Sequence, residues 1–478
     1  MSNHIRVRIA PSPTGPLHIG TARTSLFNWL FAKKNNGIFV LRIEDTDLER
    51  SNSKFEEDIK NSLDWLGLEW DEFYKQSERL DIYKKYLQKL LDEKKAFWCF
   101  HSIEKLKKES DEQMKRKEAP RHICEHKYKE PTDKNNGIIR LKVDENSTRT
   151  IHFNDIIRGT VEWQEKLIGD LSLAKNLDAP LYNFAVVVDD HETKISHVIR
   201  GEDHISNTPK QILIQEALGI KIPQYAHLPL ILGSDRTKLS KRHGAESVQE
   251  YMDMGYLPEV MINFMTLLGW HPPKDIKKKG GKPEDIFTVS ELTEIFELKD
   301  VQKSPAVFDI KKLNWVNGYY IHQLPPEQFK AVIAPFILKE IGEKIEVKSE
   351  YLDKIRHLMT ERMKKLSDIK NFDYFFKEPE YDRGLLNWKN ISAVEIKKSL
   401  TLVKEALESI DWNFFDKNYI KKKLDDLAKD KFNGDRGAVY WPLRVSLTGK
   451  QGSPNPIDIL SVLPKETVIE RLNKAIGK

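Results

Sequence analysis

Cysteine is nearly missing: Cys99 and Cys124 are the only 2 in a chain of 478 residues, which excludes a disulfide scaffold. Long apolar runs are missing too. No window approaches the roughly 20 consecutive apolar residues of a membrane span, and the opening Met-Ser-Asn-His lacks the basic-then-apolar pattern of a secretory leader. A cytoplasmic protein with no membrane partner is expected. Strong charge of one sign is also lacking: 78 Lys+Arg face 73 Asp+Glu, and a net +5 is too slight to establish a nucleic-acid partner. The excess is nonetheless localised, because residues 321–478 hold 29 basic against 24 acidic side chains while residues 1–320 hold 49 of each. Such a tail is compatible with RNA phosphates. There is no internal repeat, and 39 % hydrophobic content suffices for packed cores in two to four domains.

What is present begins at residues 5–34. Ile5, Val7 and Ile9 alternate with charged residues as in a short strand, and Pro11, Pro13, Gly15 and Pro16 then forbid a regular element. From Ala22 the apolar positions Leu26, Trp29, Leu30 and Ala32 recur at helical spacing. The segment therefore reads as strand, tight loop and helix, with His18, Gly20 and Thr21 at the helix N-terminus. Free N–H groups and the positive end of the helix dipole favour an anion there, and Gly20 permits close approach. Neither the GxGxxG nor the GxxxxGK(S/T) spacing occurs in this loop, so a plain turn between strand and helix stays open as an alternative. Ile38–Ile43 follows as a buried parallel strand ending in Glu44, Asp45 and Asp47, at the sheet edge where open α/β folds bind ligands. Residues 80–97 read as an amphipathic helix, Leu181–Val188 and Ile195–Ile199 as buried strands, and Thr208 as the N-cap of a helix ending at Gly219.

Two further features carry chemistry. Cys99-Phe-His101 and Cys124-Glu-His126 form a pair of Cys-x-His steps, each able to point a thiolate and an imidazole at one metal; free cysteines and scattered histidines are the alternative. The loop Leu232-Gly-Ser-Asp-Arg-Thr-Lys-Leu-Ser-Lys-Arg-His-Gly244 carries Arg236, Lys238, Lys241 and Arg242, and alone reads as a solvated basic loop. Taken in order, however, His-Ile-Gly-Thr after the first strand and Lys-Leu-Ser-Lys-Arg in this loop resemble the HIGH and KMSKS motifs of class I aminoacyl-tRNA synthetases. The flanking stretches narrow the likeness. Pro-Ser-Pro-Thr-Gly-Pro-Leu-His-Ile-Gly-Thr-Ala-Arg, Leu41-Arg-Ile-Glu-Asp-Thr-Asp47, Val198-Ile-Arg-Gly-Glu-Asp-His204 and Arg436-Gly…Trp441-Pro-Leu-Arg-Val-Ser-Leu-Thr-Gly449 resemble the bacterial-type glutamyl-tRNA synthetases from end to end. Thr21 in place of the second His departs from the generic motif and matches the glutamyl branch.

The resemblance implies an α/β fold: a Rossmann-like catalytic domain in two halves (1–87 and 181–232) around an inserted α/β acceptor-binding domain (88–180). A helical stem-contact domain with the KMSKS loop (233–324) and an all-helical anticodon-binding region (325–478) follow. It implies glutamate bound by Arg8, Ile9, Ala10, Ser12, Glu44, Tyr182 and Arg200, and ATP with Mg2+ bound by His18, Gly20, Thr21 and Lys241. His18, Lys238 and Lys241 would act on the transferring phosphate. Read without the family, Tyr182 is a core residue and Arg200 a local salt bridge to Glu202 or Asp203. The family also implies one structural Zn2+ on Cys99, His101, Cys124 and His126, and Arg362 facing the anticodon of tRNA(Glu), where a solvated surface arginine is the alternative. A monomer is expected. Three other readings remain: a glutamyl enzyme that modifies a tRNA base, against which the 154 residues after residue 324 argue; a non-discriminating enzyme that also charges tRNA(Gln); and an inactive RNA-binding relative, against which intact His18, Glu44, Arg200 and Lys241 speak.

Overall fold

Three short parallel strands, β1 (Arg6–Ile9), β2 (Ile38–Ile43) and β3 (Glu72–Lys75), pair in that order, with Arg8 opposite Val40 and Ile43 opposite Lys75. Their connections are the helices α1 (Ile19–Lys34) and α2 (Ser53–Trp65). The computed structural model describes residues 4–47, 49–129, 137–239, 247–273, 283–343, 350–389 and 391–477. It divides into two units, residues 1–253 with 258–310, and residues 254–257 with 311–478.

Within the first unit α3 (Leu80–Asp92) leads to β4 (Ala96–Cys99). The helix expected over 80–97 thus ends early. Lys94 turns the chain with φ +56, and the Lys95 N–H returns to Leu90 O at 2.9 Å, so the last apolar residues become strand instead. After α4 (Ile103–Lys115), β5 (Ile138–Leu141), β8 (Leu171–Asn176) and β9 (Ala179–Pro180) complete an antiparallel sheet of order β4-β5-β8-β9. The intervening hairpin of β6 (Thr150–Asp155) and β7 (Gly159–Gln164) goes elsewhere: it joins β10 (His197–Gly201) and β11 (Gln224–Leu228) in the order β10-β11-β6-β7. Segments expected to belong wholly to an insert therefore extend the sheet of the second catalytic half. That sheet meets β1 through Ser196, whose N–H donates to Arg6 O at 2.9 Å.

Leu181–Val188, expected as a strand, is the start of helix α5 (Tyr182–Glu192), a correction to the sequence reading. An apolar run buried on both faces of a sheet and one buried around a helix look alike in sequence, and here Phe184 to Asp190 are all buried. Helix α6 (Thr208–Leu218) begins at Thr208 itself and has Asn207 at its cap position without a side-chain bond, so Thr208 is not the cap either. Its hydroxyl is committed to Arg200. Phe184, Val187, Val198, Ile212, Leu213 and Tyr225 belong to one buried apolar cluster beneath these elements. The first unit closes with β12 (Ile231–Leu232), α7 (Val248–Met254), α8 (Pro258–Leu267), α9 (Val289–Ile295) and β13 (Ala306–Val307), the last paired with β12.

Among the described residues the second unit is helical and contains no strand. It comprises α10 (Ile310–Gln323), α11 (Pro326–Ile341), α12 (Glu350–Thr360), α13 (Ala393–Glu408), α14 (Lys417–Lys431), α15 (Arg436–Thr448), α16 (Pro456–Leu460) and α17 (Lys465–Gly477). Within it, buried Asn317 of α10 accepts from Leu257 N at 3.0 Å and donates to Lys364 O at 2.7 Å.

Candidate active site

A cleft of about 450 Å³ opens where β1, β2 and β10 end, and its lining includes Arg8, Ile9, Ala10, Ser12, His18, Gly20, Thr21, Glu44, Tyr182, Arg200 and Lys238. Side chains read from five separate stretches of sequence are thus brought into one space. Lys241 lies outside the described residues. At one end His18 stands at the cap of α1, where its Nδ1 accepts the Gly20 N–H at 2.9 Å. That bond assigns the ring proton to Nε2, a donor. A Cβ at Gly20 would lie 3.3 Å from His18 Nδ1, so a side chain here would crowd the ring.

At the other end the floor is ionic. Arg8 meets Asp190 through two contacts of 3.1 and 3.4 Å, and Asp190 also accepts from Arg42 at 2.7 Å. Arg42 reaches Glu44 at 3.2 Å and Asp189 at 3.6 Å, and Asp189 in turn accepts from Gln76, Arg79 and Tyr83, each at 2.8 Å. Burial pushes the Glu44 carboxyl up to about 6 although Arg42 and Arg8 pull it down. Asp190 feels burial in the same direction, yet Arg8 and Arg42 outweigh it and hold the carboxyl below the usual range. Asp45 and Asp47 point away from this floor: Asp45 accepts from Ser77 N at 2.8 Å, and Asp47 pairs with Arg50 on the surface.

Tyr182, the first residue of α5, is 36 % exposed, with its hydroxyl 3.1 Å from His204 Nδ1. Arg200 is 5 % exposed, and burial lowers its pKa. It donates from Nε to His227 Nε2 at 3.2 Å and from Nη2 to Thr208 Oγ1 at 2.8 Å. Neither Glu202 nor Asp203 is its partner: Glu202 pairs with Arg158 and accepts the Leu230 N–H. Sequence reasoning missed Arg42, Asp190, His204 and His227. Two consecutive carboxylates inside the apolar run before His191 were the one visible sign.

In the β4–α4 region the ligand atoms of Cys99, His101, His122 and Cys124 lie within 4.8 Å of one another. Individual separations are 3.7 Å for Cys99 Sγ to His101 Nδ1, 3.7 Å for Cys99 Sγ to His122 Nε2, 3.7 Å for Cys124 Sγ to His101 Nδ1, and 3.1 Å between the two imidazole nitrogens. A tetrahedron with zinc–sulfur and zinc–nitrogen bonds of ordinary length has edges of roughly 3.3–3.8 Å. The outer ring nitrogens are braced by carboxylates, His122 by Glu109 at 2.6 Å and His101 by Glu125 at 3.0 Å, as metal-bound imidazoles are. His126 stands beside this set: its Nδ1 accepts the Phe100 N–H at 3.2 Å and lies 3.4 Å from Cys124 Sγ, and it groups with His101 and Glu125. In the second unit Arg362 is exposed on the turn after α12, and its charge, after burial, is the next influence lowering the pKa of Arg444.

The model of class I tRNA synthetases for glutamate and glutamine, catalytic domain, matches residues 4–315, and an anticodon-binding domain model matches residues 328–476. A glutamate–tRNA ligase of Carboxydothermus hydrogenoformans is 43 % identical over 96 % of this chain and 97 % of its own length. That of Desulforamulus reducens is 41 % identical over 99 % of both. The crystal structure of a glutamate tRNA ligase from Elizabethkingia meningosepticum, in complex with its amino acid, superposes with a TM-score of 0.84 at 34 % identity over 100 % of both chains. With both family models in sequence order and likeness over its full length, the chain belongs to the bacterial-type glutamyl-tRNA synthetases of class I.

Proposed function

We propose that this chain, a cytoplasmic monomer, attaches glutamate to tRNA(Glu) in two steps. A glutamate α-carboxylate oxygen attacks the α-phosphorus of ATP, the bond to pyrophosphate breaks, and glutamyl-adenylate forms. A hydroxyl of the terminal ribose of tRNA then attacks the adenylate carbonyl, and AMP leaves with the bonding electron pair. The observation that carries this reading is the cleft, which places a helix N-terminus with His18 at one end and an arginine–carboxylate floor at the other. The Thr21 N–H, the His18 Nε2 donor and the Lys238 and Lys241 ammonium groups neutralise charge on the phosphates as pyrophosphate departs, with Gly20 leaving room for their close approach, and Mg2+ accompanying ATP would add its own charge. Glu44 holds the glutamate amino group, Tyr182 packs on its carbon chain, and Arg200 reads the side-chain carboxylate with Arg8 beside it. The backbone at Ile9 and Ala10 and the Ser12 hydroxyl complete the amino-acid site.

Cys99, His101, His122 and Cys124 would hold one structural zinc, whose role there would be to brace the fold. Arg362 faces the anticodon and favours tRNA(Glu). Aminoacylation of purified tRNA(Glu) and tRNA(Gln) with glutamate and ATP is the test. Charging of tRNA(Glu) alone is expected; charging of both would make the enzyme non-discriminating, and charging of neither would make it an inactive relative.

A further inference from the structure

We infer that Asp155 and His227 are positioning residues for amino-acid selection, holding Arg200 with one guanidinium nitrogen turned to the cleft. The inference rests on the reading of Arg200 as the group that meets the glutamate side chain. Its basis is strand register. β11 lies between β10 and β6, with Arg200 opposite His227 and Tyr225 opposite Asp155. Because alternate residues of a strand share a face, Tyr225 and His227 stand on the same side, and the Arg200 guanidinium lies 5.6 Å from the Tyr225 ring centre.

The hydrogen bonds along this face run in one direction. Asp155 Oδ1 accepts the Ile157 and Arg158 N–H groups at 3.0 and 2.8 Å, and Oδ2 accepts the His227 N–H at 3.0 Å and the His227 ring at 2.6 Å. A carboxylate so engaged can only accept, which assigns the ring proton to His227 Nδ1 and leaves Nε2 with a lone pair. That lone pair faces Arg200 Nε at 3.2 Å and the Thr208 hydroxyl at 3.1 Å, while the same hydroxyl oxygen accepts Arg200 Nη2 at 2.8 Å. Arg200 is thereby fixed on two of its three nitrogens. The third, Nη1, is buried without a hydrogen-bond partner among the described residues, in a side chain that lines the cleft. The reversed tautomer of His227 would aim an N–H at the guanidinium and push it off this position. Burial lowers the His227 pKa against the attraction of Asp155, and Arg200 adds to the lowering, so the ring stays neutral.

Steady-state aminoacylation of tRNA(Glu) by the full chain tests the assignment in four variants. Asp155→Asn replaces an obligate acceptor by a group that can donate, which favours the wrong tautomer. The KM for glutamate is expected to rise about tenfold or more, as for loss of a hydrogen bond to a charged group, with the KM for ATP within about twofold of wild type. His227→Gln supplies an amide oxygen in place of Nε2 that needs no carboxylate to orient it. The double variant Asp155→Asn/His227→Gln should therefore recover most of the glutamate KM lost in Asp155→Asn, an outcome that a role confined to sheet stability does not produce. An unchanged glutamate KM in Asp155→Asn, or a double variant no better than that single one, overturns the inference. Arg200→Gln separates it from its premise: if that variant uses glutamate normally, the reading of Arg200 fails; if it is impaired while Asp155→Asn is normal, only the positioning role fails.

Discussion

Glu44→Gln is expected to damage catalysis while strengthening the fold. The carboxyl is 8 % exposed, and burial raises its pKa from 4.5 to about 6 in spite of Arg42 and Arg8. A difference of that size corresponds to about 2 kcal/mol. Since the folded protein binds this proton more readily than the unfolded chain, stability falls as pH rises between the two values and the full penalty is present at neutral pH. A neutral isostere keeps an oxygen for Arg42, which retains Asp189 and Asp190, and removes the cost of burying the charge. Chemical denaturation at neutral pH should show the variant more stable by about 1–2 kcal/mol. Catalysis should move the other way. In the wild type kcat/KM for glutamate, measured at saturating ATP and tRNA, should fall as pH drops through 6, reaching about one tenth of its plateau near pH 5, where about a tenth of the carboxyl is ionised. In Glu44→Gln the plateau should be far lower and this limb gone. If the variant is destabilised, the reasoning from burial is wrong; if it keeps the limb, another group is titrating.

Lys241→Ala should lower kcat in aminoacylation by about two to three orders of magnitude with little change in the KM for ATP, because charge builds on the phosphates only as pyrophosphate leaves. Equal and small losses in both would refute that role. Metal analysis of protein prepared without chelators should find one zinc per chain, lost in Cys124→Ser and His122→Ala but kept in His126→Ala; loss in His126→Ala with retention in His122→Ala would exchange the two histidines. Arg362→Gln should raise charging of tRNA(Gln) relative to tRNA(Glu), and an unchanged ratio would return Arg362 to the solvated surface.

What could be read from the sequence was local. The strand, turn and helix around His18 are specified by alternation, proline and helical spacing within some thirty residues, and the structure places β1, the turn and α1 there. The helical second unit was legible for the same reason. Long-range placement was not. Asp155 looked like the property of an insert because nothing in its hairpin announces that β6 pairs with β11, and only that pairing carries the carboxylate to His227. The apolar run after Leu181 hid a helix, and with it the orientation of Asp189 and Asp190 toward the strands. The symmetry of the two Cys-x-His steps drew attention to His126. A 3-10 turn over Glu125–Tyr128 sets that ring against both the Phe100 N–H and Cys124 Sγ, while His122, two residues before Cys124, joins His101 and the two thiols in one cluster.

The arginine–carboxylate floor also bears on how this sequence can drift. Arg8, Arg42, Glu44, Asp189 and Asp190 come from three elements and their flanks, and all are at least nine-tenths buried. Removing one member of such a set leaves an opposite charge stranded, at about 3–5 kcal/mol, against a total stability of about 5–15 kcal/mol for an ordinary domain. Singly substituted intermediates at Arg42, Asp189 or Asp190 are therefore nearly closed to a protein changing one residue at a time, and only compensated pairs are open. Glu44 is the exception, since its neutral form suits the fold; function, not folding, is what keeps a carboxylate at that position.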